Sequence, residues 1–110
     1  MIFAISNHVE LIKKGEKTQT RRQSNRYEVG KTYAIQPCRT CKAIKDGRIL
    51  ILKKRTEISR HINLEEAKAE GNYTPIKFEQ LYLKIHPNWR KRFAYTFRFV
   101  PNDEVENYAK

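Results

Sequence analysis

The chain reads as an α+β fold: a small, mostly antiparallel β-barrel flanked by about three short helices. Three observations lead there. Helical periodicity is confined to short stretches, "HVELIKKG" and the segment from Asn63 to His86. The remaining ordered segments are β-branched or alternating, the longest being "RILILKKRTEIS" and "RFAYTFRFV". Finally, 110 residues with 39% apolar content can build one modest core and not two. This predicts one domain over residues 1–100, followed by a flexible acidic tail over 101–110.

The elements follow in order. "MIFAI" is short and apolar, a first strand. Asn7 and Glu10 have the spacing of a capping box, and Val9 and Ile12 then share one face of a short helix stopped by Gly15. "KTQTRR" alternates and carries threonines, so it is extended; "SNRYEVGK" is a turn. "KTYAIQP" is a strand ended by Pro37, and "CRTCKAIKDG" is a basic loop. "RILILKKRTEIS" is a long strand, apolar at first and charged later. Asn63 caps "LEEAKAEG", with Glu66 at the third helical position and Gly71 as the stop. Thr74-Pro75 opens a further helix, "PIKFEQLYLKIH", with Ile76, Phe78, Leu81, Tyr82 and Ile85 near helical spacing. In "RFAYTFRFV", Phe93, Tyr95, Phe97 and Phe99 alternate on one face and read as core.

Charge speaks to partners. The formal net charge is +11, from 23 Lys and Arg against 12 Asp and Glu. A polyanion such as RNA, or a nucleotide, is the natural counterpart of such a balance, the alternative being a generally basic cytosolic protein. One segment differs in kind. From Asn63 to His86 four acidic residues outnumber three basic ones, whereas Lys13 to Arg26, Lys31 to Ile62 and Asn88 to Val100 are all strongly basic. No run approaches the length that spans a bilayer, and "MIFAISNHVE" meets an acid too early for a signal peptide. The chain therefore reads as a cytoplasmic monomer without a membrane partner. Cys38 and Cys41 form a lone CxxC with no second pair, so neither a metal nor another cofactor is expected. Two reduced thiols and a labile disulfide both remain open for that pair.

"GEKTQTRR" matches the GxKxxxxR signature through Gly15, Lys17 and Arg22, and here the chain resembles the ASCH domains, small β-barrels related to the RNA-binding PUA domains. "YEVGKTYAIQP", "GRILI", and "EEAKAEG" followed by "FEQLY" extend the likeness over most of residues 3–100. Some ASCH proteins are similar to bacterial amidohydrolases that remove the acetyl group of N(4)-acetylcytidine. The resemblance implies Lys17, Thr20 and Glu70 as the matching catalytic trio. Other relatives imply binding or cleavage of RNA. The chain departs at Gly30-Lys31, where Gly-Asp is frequent, and at Cys38 and Cys41, where glycines are frequent.

Amide hydrolysis needs a nucleophile, a proton acceptor and stabilisation of an oxyanion. Thr20 offers the hydroxyl. Lys17 becomes its base if burial or the cations Arg21 and Arg22 lower its pKa. Glu70 serves the leaving amine or activates a water. On a regular strand Lys17 and Thr20, three apart, would face opposite sides, so Lys17 must lie in the turn after Gly15. Each residue also has a plain reading: Gly15 as helix stop, Thr18 and Thr20 as strand residues, Lys17 and Arg21 as solvated charges, Arg22 tied to an acid, Glu70 at a helix end. For RNA, Arg39, Arg48, Lys53, Arg55, Arg60 and Arg90 could neutralise phosphates and Trp89 could stack on a base, or plug the core. The candidate binding set is thus Gly15, Thr18, Arg21, Arg22, Arg39, Arg48, Lys53, Arg55, Trp89 and Arg90.

Overall fold

Two long strands carry the architecture. A computed structural model describes residues 1–58 and 61–104. In it β3 (Gly47–Glu57) and β4 (Arg92–Pro101) pair antiparallel from Gly47↔Pro101 to Glu57↔Arg92, with a bulge between Ile51 and Lys53. β1 (Gln19–Arg22) joins the free edge of β4, and β2 (Thr32–Ala34) joins β3, giving the order β1-β4-β3-β2.

The expected barrel is therefore an open four-stranded antiparallel sheet. The reason is the N-terminal segment. "MIFAI" forms no strand and contributes one isolated parallel bridge, Ile2↔Gln36. The outer strands β1 and β2 have four and three residues and never meet. Met1 and Phe3 instead supply side chains to the core.

Alternation along β4 separates two layers. Phe93, Tyr95 and Phe97 are buried with Ile12, Ile35, Ile49 and Ile51, and Phe99 packs partly against them, so the aromatic row is core. On the other face Arg92 reaches Glu79 of α3 (Pro75–Ile85), and α3 and α2 (Leu64–Gly71) share a second cluster of Ile62, Ala67, Phe78 and Tyr82. Ile76, expected on the apolar face of α3, points to solvent instead, 73% exposed.

α1 (His8–Lys13) lacks the expected capping box: Asn7 is left-handed, φ 68, and its side chain caps nothing. The Asn63–Glu66 box on α2 and the Thr74 cap with Pro75 on α3 are both formed. Gly71 is the last residue of α2 rather than its stop, and Asn72, φ 64, makes the left-handed cap. Cys38 and Cys41 are joined in a disulfide within the β2–β3 loop. Among the described residues no helix is long and apolar enough to cross a membrane. Asn102 is tied back to Asp46 O through its backbone N–H, 3.2 Å, and Arg98 pairs with Glu104 at 3.1 Å. Arg60 and the rest of the expected tail, residues 105–110, lie outside the described residues.

A buried ion network bolts the helical layer to the sheet. Arg21 donates from Nε and Nη2 to the two oxygens of Glu57, both at 2.9 Å, a bidentate pair. It also donates from Nη1 to Glu70 at 2.9 Å and pairs with Glu66. Arg92 donates to Glu57 at 2.9 Å and to Glu79 at 2.8 Å, and Arg55 reaches Glu57 and Glu66 from the solvent side. Burial by itself would raise the Glu57 pKa, but hydrogen bonds from Arg21, Arg55 and Arg92 outweigh it and hold the carboxyl down at about 2.

Two outcomes follow from this network. Arg21→Met leaves buried carboxylates without their shared cation and should lower the unfolding free energy by about 3–5 kcal/mol in urea titration. Because the folded pKa of Glu57 lies below the ordinary 4.5, its contribution is complete above pH 4.5 and is lost as pH falls toward about 2. Stability should decline through that acid window, and Glu57→Gln should flatten the decline.

Candidate functional site

A pocket of about 260 Å³ opens beside the edge strand β1. Its walls are the N-terminal segment from Ile2 to Ile5, the end of α2 at Glu70, and the α3 residues Phe78, Leu81, Tyr82 and Ile85 with His86. Lys17, Thr20, Arg21 and Arg22 complete it.

The turn after α1 delivers Lys17. Gly15 takes φ 77, a conformation costly for any residue with a Cβ, and the N–H groups of Glu16 and Lys17 both donate to Leu11 O, at 2.9 and 3.0 Å. Thr18 then binds α2 and β4 through its backbone: its N–H donates to Ala69 O, 2.8 Å, and its O accepts from Phe97 N, 2.9 Å. Lys17 thus precedes the strand instead of lying on it. That is why it shares a pocket with Thr20.

Lys17 is 2% exposed. Its Nζ donates to Glu70 O at 2.6 Å and to Gln19 O at 2.8 Å, and Glu70 Oε1 stands 3.8 Å away. Burial lowers its pKa to about 8; the Glu70 carboxylate opposes this and the guanidinium groups of Arg22 and Arg21 reinforce it. Two backbone acceptors orient the amine, so in the neutral form two N–H bonds are used and the lone pair is held in a fixed direction. The Thr20 hydroxyl oxygen accepts from Arg22 Nε at 3.1 Å, which leaves its own proton to give away. Arg22 is itself held by Ile2 O, 2.6 Å, and lies 4.8 Å from the Phe3 ring centre.

A histidine supports the floor. His8 is buried and shares a 2.7 Å hydrogen bond with Tyr73 Oη. Burial, then Lys17 and Arg22, push its pKa down to about 4, so it is neutral near pH 7. Gly71 passes so close that a Cβ there would sit 3.0 Å from His8 Nε2.

The structure brings Lys17, Thr20, Arg21, Arg22 and Glu70 together. Lys17 and Arg21 are buried, not solvated, and it is Arg21 that ties the sheet to the helix acids while Arg22 binds Ile2. The remaining candidates lie elsewhere. Arg39 is exposed beside the disulfide. Arg48 bonds Thr32 at 3.3 Å. Lys53 and Arg55 line a second groove of about 360 Å³ with Gln19, Lys54, Ala94 and Thr96. Trp89 is half-buried, 4.1 Å from the Arg92 guanidinium, and Arg90 is exposed. Sequence reasoning missed His8 and His86 and gave Tyr82 no role beyond packing. The signal for Tyr82 and His86 was a polar residue repeating every four positions within an apolar helix face.

No family model matches the chain, and no curated protein matches it. Solved structures do resemble it. An ASCH domain from Lactobacillus crispatus superposes with TM-score 0.70 at 15% identity, over 84% of this chain and 70% of that one. A Zymomonas mobilis ASCH point mutant gives 0.61 at 15%, over 96% and 78%. A DUF984 protein from Enterococcus faecalis gives 0.60 at 16%, over 84% and 69%. The fold is ASCH-like.

Lys17 should titrate well below the ordinary lysine value. Following its side-chain 13Cε shift against pH should give a midpoint near 8, absent in Lys17→Gln.

Proposed function

Proceeding from the ASCH-like fold, we propose that the chain holds a nucleoside, or one nucleotide of an RNA strand, in the pocket beside β1. The convergence of Lys17, Thr20 and Glu70 on one cavity of about 260 Å³ carries this reading. Apolar walls from Ile2, Phe3, Leu81 and Ile85 suit the faces of a planar base, and a few placed polar groups suit its edge. Arg39, Lys53 and Arg90, exposed and not engaged by carboxylates in any ion pair among the described residues, are the cations available to an RNA backbone.

A second reading, hydrolysis, is favoured by one observation: the lowered pKa of Lys17 makes it a usable base near neutral pH. On N(4)-acetylcytidine, Thr20 Oγ1 attacks the acetyl carbonyl carbon while Lys17 takes the hydroxyl proton. The C–N bond then breaks, and the proton passes to the leaving amine through Lys17 or Glu70. Water, activated by Glu70, cleaves the acetyl-threonine ester, giving acetate and restoring Thr20. The products are cytidine and acetate.

The test is binding and turnover in parallel, with N(4)-acetylcytidine and a labelled single-stranded RNA. Wild type should bind at least one, and Lys17→Ala should bind it at least about tenfold more weakly. Acetate release that disappears in Thr20→Val while binding survives would establish the hydrolase. Binding without any product would establish a reader. Wild type that binds neither would sink both. Lys53→Ala should reduce the slope of log K against log salt for RNA by about 1 if Lys53 meets a phosphate.

A further inference from the structure

The hydroxyl of Tyr82 has no hydrogen-bond partner among the described residues, although the residue is only 5% exposed. Buried polar groups almost always find a partner, and an orphan asks for an explanation. The ring itself is firmly held. It meets Trp89 edge-on, with centres 5.5 Å apart, and lies 4.8 Å from the Arg92 guanidinium and 4.8 Å from the His86 ring. A ring clamped on these sides has little freedom to swing its hydroxyl to another acceptor.

The residue lines the pocket, and the charges acting on its hydroxyl are those of Arg92, Glu70, Arg22 and Glu79, of which Glu70 and Arg22 line the same pocket. Its neighbours on this wall, Phe78, Leu81 and Ile85, offer no polar atom. Burial and then Arg22 lower the pKa of His86, the residue that ends the helix. Among the α3 residues that line the pocket, Tyr82 is therefore the one that carries an uncharged donor and acceptor. Burial, first among the causes, raises the Tyr82 pKa to about 12, so the proton stays in place across the working range.

We propose that Tyr82 is a specificity-determining residue whose hydroxyl hydrogen-bonds a polar edge atom of the bound nucleobase. The inference rests on the pocket reading above and deepens it. Lys17 and Glu70 would engage the ligand from the α2 side, and Tyr82 from α3, so the base is read from two directions. A ligand without a polar atom opposite the hydroxyl forgoes that bond and binds more weakly for that reason.

The proposal makes an unusual pair of demands on Tyr82→Phe, which removes one oxygen and keeps the ring. No protein group among the described residues bonds the oxygen, so its loss removes no bond within the fold and should leave the melting temperature unchanged or raise it. With ligand bound, its loss should be felt. Calorimetric titration would compare wild type and Tyr82→Phe with cytidine, N(4)-acetylcytidine and phenyl riboside, a ring of similar shape without polar edge atoms. The nucleoside that wild type binds should lose about tenfold in affinity in the variant, while phenyl riboside should bind both proteins alike. Unchanged nucleoside affinity would overturn the proposal. So would an equal loss for phenyl riboside, or a fall in melting temperature, since either marks a packing role. Wild type that binds no nucleoside would overturn the pocket reading itself, a failure visible before any variant is made.

Discussion

The structure depends on one guanidinium. Arg21 lies on an edge strand, where a charge would ordinarily reach water, yet it is 4% exposed and grips Glu57 of β3 while reaching Glu66 and Glu70 of α2. Three elements thus meet at one side chain. A buried pair of this kind adds little net stability over an apolar substitute, but it is costly to break and demands one geometry. The orientation of α2 over the sheet, and with it the position of Glu70, is set by that demand.

Charge balance explains how so basic a chain tolerates this interior. Arg21, Arg55, Arg92 and Lys17 face Glu57, Glu66, Glu70 and Glu79. The acids come largely from the one acidic segment. They meet an equal number of cations there, so the network is neutral as a whole and the net charge of +11 is carried by the rest of the chain. Glu66 does two jobs: one oxygen closes the capping box with the Asn63 N–H at 3.3 Å, and the other joins Arg21 and Arg55.

The pocket is a by-product of the same arrangement. With α2 fixed, its last carbonyls receive Lys17 and Thr18, and the turn at Gly15 has a single way to run. The amine is therefore buried by the fold and not by a ligand. Its lowered pKa is a consequence of architecture, available to chemistry or simply to recognition. On the α3 wall Tyr82 is clamped by Phe78 and Trp89 of the second core and by the Arg92 guanidinium. Rigid walls bearing a few aimed polar groups are what a selective small-ligand site requires.

Local rules in the sequence determined a good deal. The Asn63–Glu66 box, the Thr74-Pro75 start, the aromatic alternation of β4 and the turn placing Lys17 off the strand all depend on neighbours a few residues apart, which the chain states directly. The contrast between an acidic segment and basic flanks also marked Glu70 before any contact was known. What only the tertiary structure decided depends on long-range pairing. Whether Arg21 or Arg22 would take the acids, whether the sheet would close, and where Tyr82 would point turn on contacts tens of residues apart. The barrel failed because the first segment buried Met1 and Phe3 as core side chains instead of adding a strand, a choice its apolar composition permits equally. Composition names the groups to be buried; only packing chooses their partners.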